Sequence, residues 1–152
     1  MAIVTVPADV LSRTLKLIDP ADLKAGVYDE LIGQMRADMV ASNGIGLAAN
    51  QVGKDLALFV IDAKLAEEHG VSDVFANPEI TAYAKELDEL EEGCLSIPGF
   101  WAPVPRSKKI MFKALDGLGK KVKFRARGML ARVLQHETDH LNGTTIKQRI
   151  HS

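Results

Sequence analysis

Apolar residues fall at helical spacing in two parts of the chain. Leu23, Val27, Leu31, Met35 and Met39 form one stripe, with Asp19-Pro20 as cap and first helical residue, and the pattern ends near Ser42; it predicts a long first helix. Met129, Leu130, Val133, Leu134 and Leu141 form a second stripe, with Asn142-Gly143 as its stop. The pattern between them is different. Leu56 to Asp62 is an apolar strand, Val74 to Ala84 a strand pair or one bent strand, and Lys109–Leu115 and Lys121–Ala126 alternate around Asp116-Gly117-Leu118-Gly119, a hairpin signal. The acidic stretch from Lys85 to Glu92 reads as a solvated loop or strand edge, with Glu91 or Glu92 available to a positive group of a partner. Because the strand runs lie between the two helices rather than alternating with them, the expected class is α+β, with small, mostly antiparallel sheets packed around the second helix. Residues 1–152 are expected to form one domain.

That second helix carries the chemistry. Gln135-His136-Glu137-Thr138-Asp139-His140 contains HExxH, which puts two imidazoles one turn apart on the same helix face. Met129, Val133, His136 and His140 follow one row, so an ion there would lie beside an apolar wall. Glu137, rotated by roughly 100°, could reach a water. A buried pair of structural histidines is the alternative.

Cys94 is the chain's one cysteine, so no intramolecular disulfide can form. No secretory apolar segment lies near Met1, and the chain reads as a reduced, cytoplasmic protein. A lone cysteine is usually a small buried hydrophobe. Beside HExxH it becomes a candidate third ligand, and His₂Cys leaves a fourth position open, as catalytic sites do. The stretch Gly44-Ile45-Gly46-Leu47-Ala48-Ala49-Asn50-Gln51 superficially matches a dinucleotide loop, but a helix precedes it and a strand follows, the wrong order. It is either an ordinary turn or a close approach for an extended ligand, with Gln51 as an amide donor. Net charge is −1 and no apolar run approaches the ~20 residues of a spanning helix, so nothing points to a membrane or to sequence-specific nucleic acid recognition.

Together the three segments resemble the peptide deformylases, marked in order by GxGxAAxQ, EGCLS and QHExDH. Here these read Gly44 to Gln51, Glu92-Gly93-Cys94-Leu95-Ser96, and Gln135 to His140. The resemblance runs from near Asp22 to Gly143 and includes Asn77-Pro78-Glu79-Ile80, Val104-Pro105-Arg106 and Ala131-Arg132. It implies removal of the formyl group from the N-terminal formyl-methionine of new polypeptides, releasing formate. It makes Cys94, His136 and His140 the ligands of one divalent ion, Fe²⁺ natively with Zn²⁺, Ni²⁺ or Co²⁺ as substitutes. Glu137 becomes the general acid/base, while the Gln51 amide and the Leu95 backbone N–H meet the oxyanion.

Gly46 would pair with the substrate backbone, and Ile45, Leu90, Met129 and Val133 would line a methionine pocket, where core packing is the plain alternative. Arg106 and Asp139 are read as an ion pair orienting the ligand helix, against solvated charges as the default. Two departures stand out in Asn50, where the family usually has proline or threonine and where stiffness of the loop is expected to change more than chemistry, and Trp101, where many members have a basic residue. Nine residues follow Gly143, fewer than the C-terminal helix of many bacterial members, which leaves transient ribosome association open. Such short forms resemble virus-encoded members, so the compartment implied is a bacterial or host bacterial cytoplasm. Two other functions remain at this point: a zinc endopeptidase, whose third ligand would have to be His151, and a non-catalytic metal-binding or ribosome-associated module.

Overall fold

The computed structural model describes Ile3, Thr5 and residues 15–144. In chain order the elements are α1 (Pro20–Lys24), α2 (Asp29–Ala41), β1 (Gly46–Ala48), a 3-10 turn (Ala49–Val52), β2 (Leu58–Ile61) and α3 (Ala63–Glu68). Then come β3 (Val74–Tyr83), β4 (Leu87–Cys94), β5 (Ile97–Ser107), β6 (Lys109–Leu115), β7 (Lys121–Arg127) and α4 (Gly128–Leu141). Among the described residues the strands form a five-stranded antiparallel sheet in the order β1-β2-β3-β6-β7 and a separate β4–β5 hairpin. The class is α+β, as the pattern predicts.

The large sheet has a core on each face. On one side Phe59, Phe75 and Phe112 are fully buried and stack edge-on or tilted, with centroids 5.1–6.3 Å apart, under Leu130, Val133 and Leu134 of α4. On the other, Leu58, Val60 and Val74 meet Ile32, Met35 and Met39 of α2. α4 thus lies against the sheet along its whole length and is buried almost all round. That burial holds its two histidines on a rigid support.

One element differs from the pattern, and two that it left between alternatives are resolved. The first long helix is two, because Gly26 takes φ +77°, and the chain turns between Ala25 and Tyr28. The stripe is therefore interrupted: Val27 is 61% exposed and Ile32 takes an inward position. Val74–Ala84 is the bent strand rather than the pair. Its ladder shifts between Ala76 and Glu79, where Asn77 has φ +51° and Pro78 has no N–H to give. The Asn77 amide instead clamps Ile18, accepting from its N–H and donating to its carbonyl, both at 2.7 Å. Finally, of the loop and the strand edge expected for the acidic stretch, it is the strand, most of β4, whose side chains face water until Glu92 turns inward.

Candidate metal centre

The end of β4 delivers Cys94 to the face of α4 that carries the two histidines. Cys94 Sγ lies 3.1 Å from His140 Nε2, which lies 3.2 Å from His136 Nε2. The three donor atoms are all within 4.8 Å of one another. Around a tetrahedral ion bound at about 2.0–2.3 Å, neighbouring nitrogen and sulfur donors stand roughly 3.3–3.6 Å apart. The two contacts of His140 fit such an ion with shifts of a few tenths of an ångström, and the remaining Cys94–His136 pair lies within 4.8 Å. The chemistry fits too, since one thiolate and two imidazoles suit zinc, ferrous iron, cobalt or nickel.

The orientation of His136 is set by Glu92, which the acidic pattern places on the surface. Its Nδ1 stands 2.8 Å from Glu92 Oε1, and because the carboxylate accepts, Nδ1 carries the donated proton and Nε2 is left to face the cluster. Glu92 is buried among cations. Arg106 holds it through Nε and Nη2, each at 3.0 Å, and Arg106 also pairs with Asp139 through Nη1. Arg132 pairs with Glu92 and donates to the carbonyls of Val104 at 2.9 Å and Asp88 at 2.8 Å. Burial alone would raise the Glu92 pKa, but hydrogen bonds from His136 and Arg106 and the Arg106 charge bring it down to about 2. Arg106 and Asp139 therefore meet as expected, inside a larger network that includes Glu92 and Arg132.

Burial opposes charge on both imidazoles. It takes His140 well below its usual value, aided by the neighbouring His136 and Arg106 charges. At His136 hydrogen bonds to Cys94 and Glu92, with the Glu137 charge, outweigh it and hold the ring at about 10. An ion arriving at Nε2 must displace that proton, so ion binding is favoured as pH rises.

Glu137 sits beside the trio, its Oε2 3.9 Å from His136 Nε2. It is 3% exposed, and burial raises its pKa to about 7 despite the lowering effect of His136 and Arg106. Its Oε1 is buried with no hydrogen-bond partner among the described residues. Gly46 makes room for it: a Cβ there would sit 2.6 Å from Glu137 Oε2. Gln51 accepts from Ala48 N–H at 2.9 Å, which aims its Nε2 at Ser96 Oγ, 3.2 Å away, and Cys94 Sγ, 3.5 Å away.

Asn50, expected to alter the stiffness of the loop more than its chemistry, is fully buried and donates to the His140 carbonyl at 2.7 Å, so it ties that loop to the ligand helix. Gln135 ties the other end: it accepts from Ser107 N–H at 3.0 Å and donates to the Ser107 carbonyl at 2.9 Å.

A cleft of about 560 Å³ opens in front of these groups. Ile45, Gly46, Leu90, Leu95, Met129 and Val133 line it together with Gln51, Cys94, His136 and Glu137, so these expected contacts converge on one space. Met129, Leu90 and Ile45 are roughly half exposed at its wall, whereas Val133 is buried. Trp101 forms part of the rim. His151 lies outside the described residues. Glu92, Arg132, Asn50 and Ser96 were not anticipated as parts of the site; Glu92 and Ser96 lie inside the EGCLS stretch, which was the available signal.

Comparison with known proteins places this geometry. Residues 1–152 match the family model described as polypeptide deformylase. The chain is 42% identical over 144 residues to a peptide deformylase of Prochlorococcus marinus (strain MIT 9312), covering 95% of this chain and 70% of that protein. Its fold resembles a class I type b peptide deformylase from Acinetobacter baumannii, with a TM-score of 0.90 at 32% identity over 98% of this chain and 97% of that one. It also resembles the deformylase of the Vibrio parahaemolyticus bacteriophage VP16T solved with actinonin, with a TM-score of 0.84 at 32% identity over 96% and 100%.

Proposed function

Since the chain belongs to the peptide deformylase family, we propose a division of labour among its own residues for the reaction. It is an enzyme that removes the formyl group from formylated nascent peptides. Cys94, His136 and His140 hold one divalent ion, with Fe²⁺ as the native metal and Zn²⁺, Ni²⁺ or Co²⁺ as substitutes. When bound, that ion polarises the formyl carbonyl and acidifies a water.

The remaining work falls to the protein. Glu137, poised near neutrality by burial, takes the proton of the attacking water at its unpartnered Oε1 and returns it to the leaving amine. Formate and a free N-terminus result. The Gln51 side-chain amide and the Leu95 backbone N–H stabilise the charge that develops on the formyl oxygen, an interaction whose loss typically costs roughly 10²- to 10³-fold in rate. Gly46 pairs with the substrate backbone, and Ile45, Leu90, Met129 and Val133 receive the methionine side chain. Each buried CH₂ there contributes about 0.8 kcal/mol, which favours methionine without excluding similar apolar side chains. Residues 1–152 act as one catalytic domain, working in a bacterial cytoplasm or, if virus-encoded, in that of the host.

The observation that carries this reading is the convergence of Cys94, His136 and His140 within 4.8 Å beside the buried, unpaired Glu137 oxygen. An endopeptidase would draw its third ligand from downstream of His140 instead of from Cys94. Anaerobic purification, metal analysis and formate release from a formyl-methionyl peptide on the same sample test it. About one ion per chain with formate release is expected; metal-loaded protein that releases none overturns it.

A further inference from the structure

The two histidines are held by different means. His136 is oriented at its ring, where Nδ1 meets Glu92 Oε1 at 2.8 Å. His140 Nδ1 is buried and meets no hydrogen-bonding group among the described residues, although an imidazole that gives Nε2 to an ion carries its proton on Nδ1. This ligand is fixed by its packing and its main chain. The main chain is where a helix is least secure, because His140 is the penultimate residue of α4 and the carbonyls of a last turn have no partner within the helix. At that point the buried Asn50 side chain donates Nδ2 to the His140 carbonyl at 2.7 Å.

Two ordinary explanations fall short. Capping does not need this bond: the His140 carbonyl already accepts from Gly143 N–H at 3.1 Å, Leu15 N–H serves the Leu141 carbonyl at 3.3 Å, and Gly143 at φ +77° supplies the left-handed residue such an end uses. Filling space does not need an amide. Burying one costs free energy that an apolar side chain of similar size does not, and Ala49 and Val52 of the same turn are apolar and buried. The bond instead joins parts of the chain 90 residues apart, the 3-10 turn and the ligand helix. That turn also carries Gln51, whose amide points at Ser96 Oγ and Cys94 Sγ, so the residue beside the oxyanion donor grips the main chain of a metal ligand.

We propose that Asn50 is a positioning residue of the reaction, which fixes His140 through its main chain and keeps the Gln51 amide in register with the ion that His140 holds. The inference rests on the deformylase reading above for the role of Gln51, and on the hydrogen-bond geometry for the hold on His140. Without the bond, the last turn of α4 and the 49–52 turn are free to shift against each other. A misplacement of about 1 Å is enough to cost up to about 10²-fold in rate, and it acts on the ion and on the oxyanion donor together.

Asn50→Leu removes the donor at nearly constant volume. Its affinity for Co²⁺, measured by chelator competition, should fall about tenfold, the low end of what losing an outer contact costs, and the visible absorption of bound Co²⁺ should shift. At full Co²⁺ loading its kcat on a formyl-methionyl peptide should fall about 10- to 100-fold while KM stays within about twofold, because the cleft wall is untouched. Asn50→Ala adds no bulk, should behave alike, and decides the matter if the leucine variant does not fold. Asn77→Gly is the control: it deletes an amide that grips the main chain of Ile18 outside the cleft and suits the φ of +51° there, so it should lower Tm and leave Co²⁺ affinity, absorption and kcat as in wild type. The proposal is overturned if the Asn50 variants bind Co²⁺ with wild-type affinity and absorption, if their kcat at full loading is unchanged, or if Asn77→Gly weakens the ion as much as they do. Wild type that binds Co²⁺ yet releases no formate defeats the deformylase reading, and the Co²⁺ affinities then still judge the hold on His140.

Discussion

Glu92 ends a run of acidic side chains that face water, and it is the one drawn inside, between two arginines and a histidine. Hydrophobic patterning cannot separate it from Glu89 or Glu91, because what distinguishes it is the position of Arg106, Arg132 and His136 in space. The metal ligands were easier to read, since HExxH fixes its own geometry on a helix and Cys94 has no competitor in the chain. We expect Glu92→Gln to weaken ion binding by about 10- to 100-fold, because the carboxylate fixes the His136 tautomer and ring; competition with a chelator of known affinity measures it. Unchanged affinity would contradict that role. The same residue gives a pH dependence. Its folded pKa, about 2, lies below the ordinary 4.5, so its stabilisation is complete above pH 4.5 and is lost as pH falls toward 2. That difference amounts to about 3 kcal/mol, and denaturant titrations of metal-free protein across this window should show the loss in wild type and a flatter profile in Glu92→Gln.

At the scale of elements, the site is the meeting of three: the β1 loop, the β4–β5 turn and α4. The helix and the β6–β7 hairpin were legible because their periodicities are long and uninterrupted. The β4–β5 hairpin was not, since its strands run through charged residues, glycines and three prolines and are held by register and the Glu92 network more than by an apolar stripe. Two glycines show how closely the elements approach. Gly46→Ala would drive a methyl into Glu137, and misplacing the base by a fraction of an ångström to 1 Å should cut turnover by up to about 10²-fold while the ion stays bound. Steady-state rates with metal analysis decide this.

Across the hairpin, Gly93 faces Trp101, whose ring atoms lie 2.8 Å from where a Cβ would be. Gly93→Ala should lift that indole, which is 66% exposed at the rim. Because Trp101 is the single tryptophan, its emission should shift, and KM should rise several-fold for peptides with an apolar residue after methionine, on the order of 1 kcal/mol of lost contact. Identical emission would show that the ring does not rest on Gly93.

For the whole molecule, α4 is both the central core element and the carrier of two ligands, so folding and ion binding are coupled. Ion removal by a chelator should therefore lower Tm, by an amount that grows with ion affinity as RT ln(1 + [L]/Kd), about 2.7 kcal/mol at a hundredfold excess over Kd. Scans with and without chelator check this, and equal Tm values would mean the trio is decoupled from the core. The sequence pattern announced the α+β class but not the break at Gly26, because a stripe of apolar residues passes over a glycine that has turned the backbone. Formate release depends on Glu137 acting on a proton beside a metal that Cys94, His136 and His140 would hold. The most direct test of that role compares formate release from a formyl-methionyl peptide by wild type and Glu137→Ala, both anaerobically loaded and analysed for metal. Equal ion content and a loss of roughly 10²- to 10⁴-fold in turnover are expected for Glu137→Ala; a variant that keeps its ion and turns over near the wild-type rate would contradict the role of Glu137.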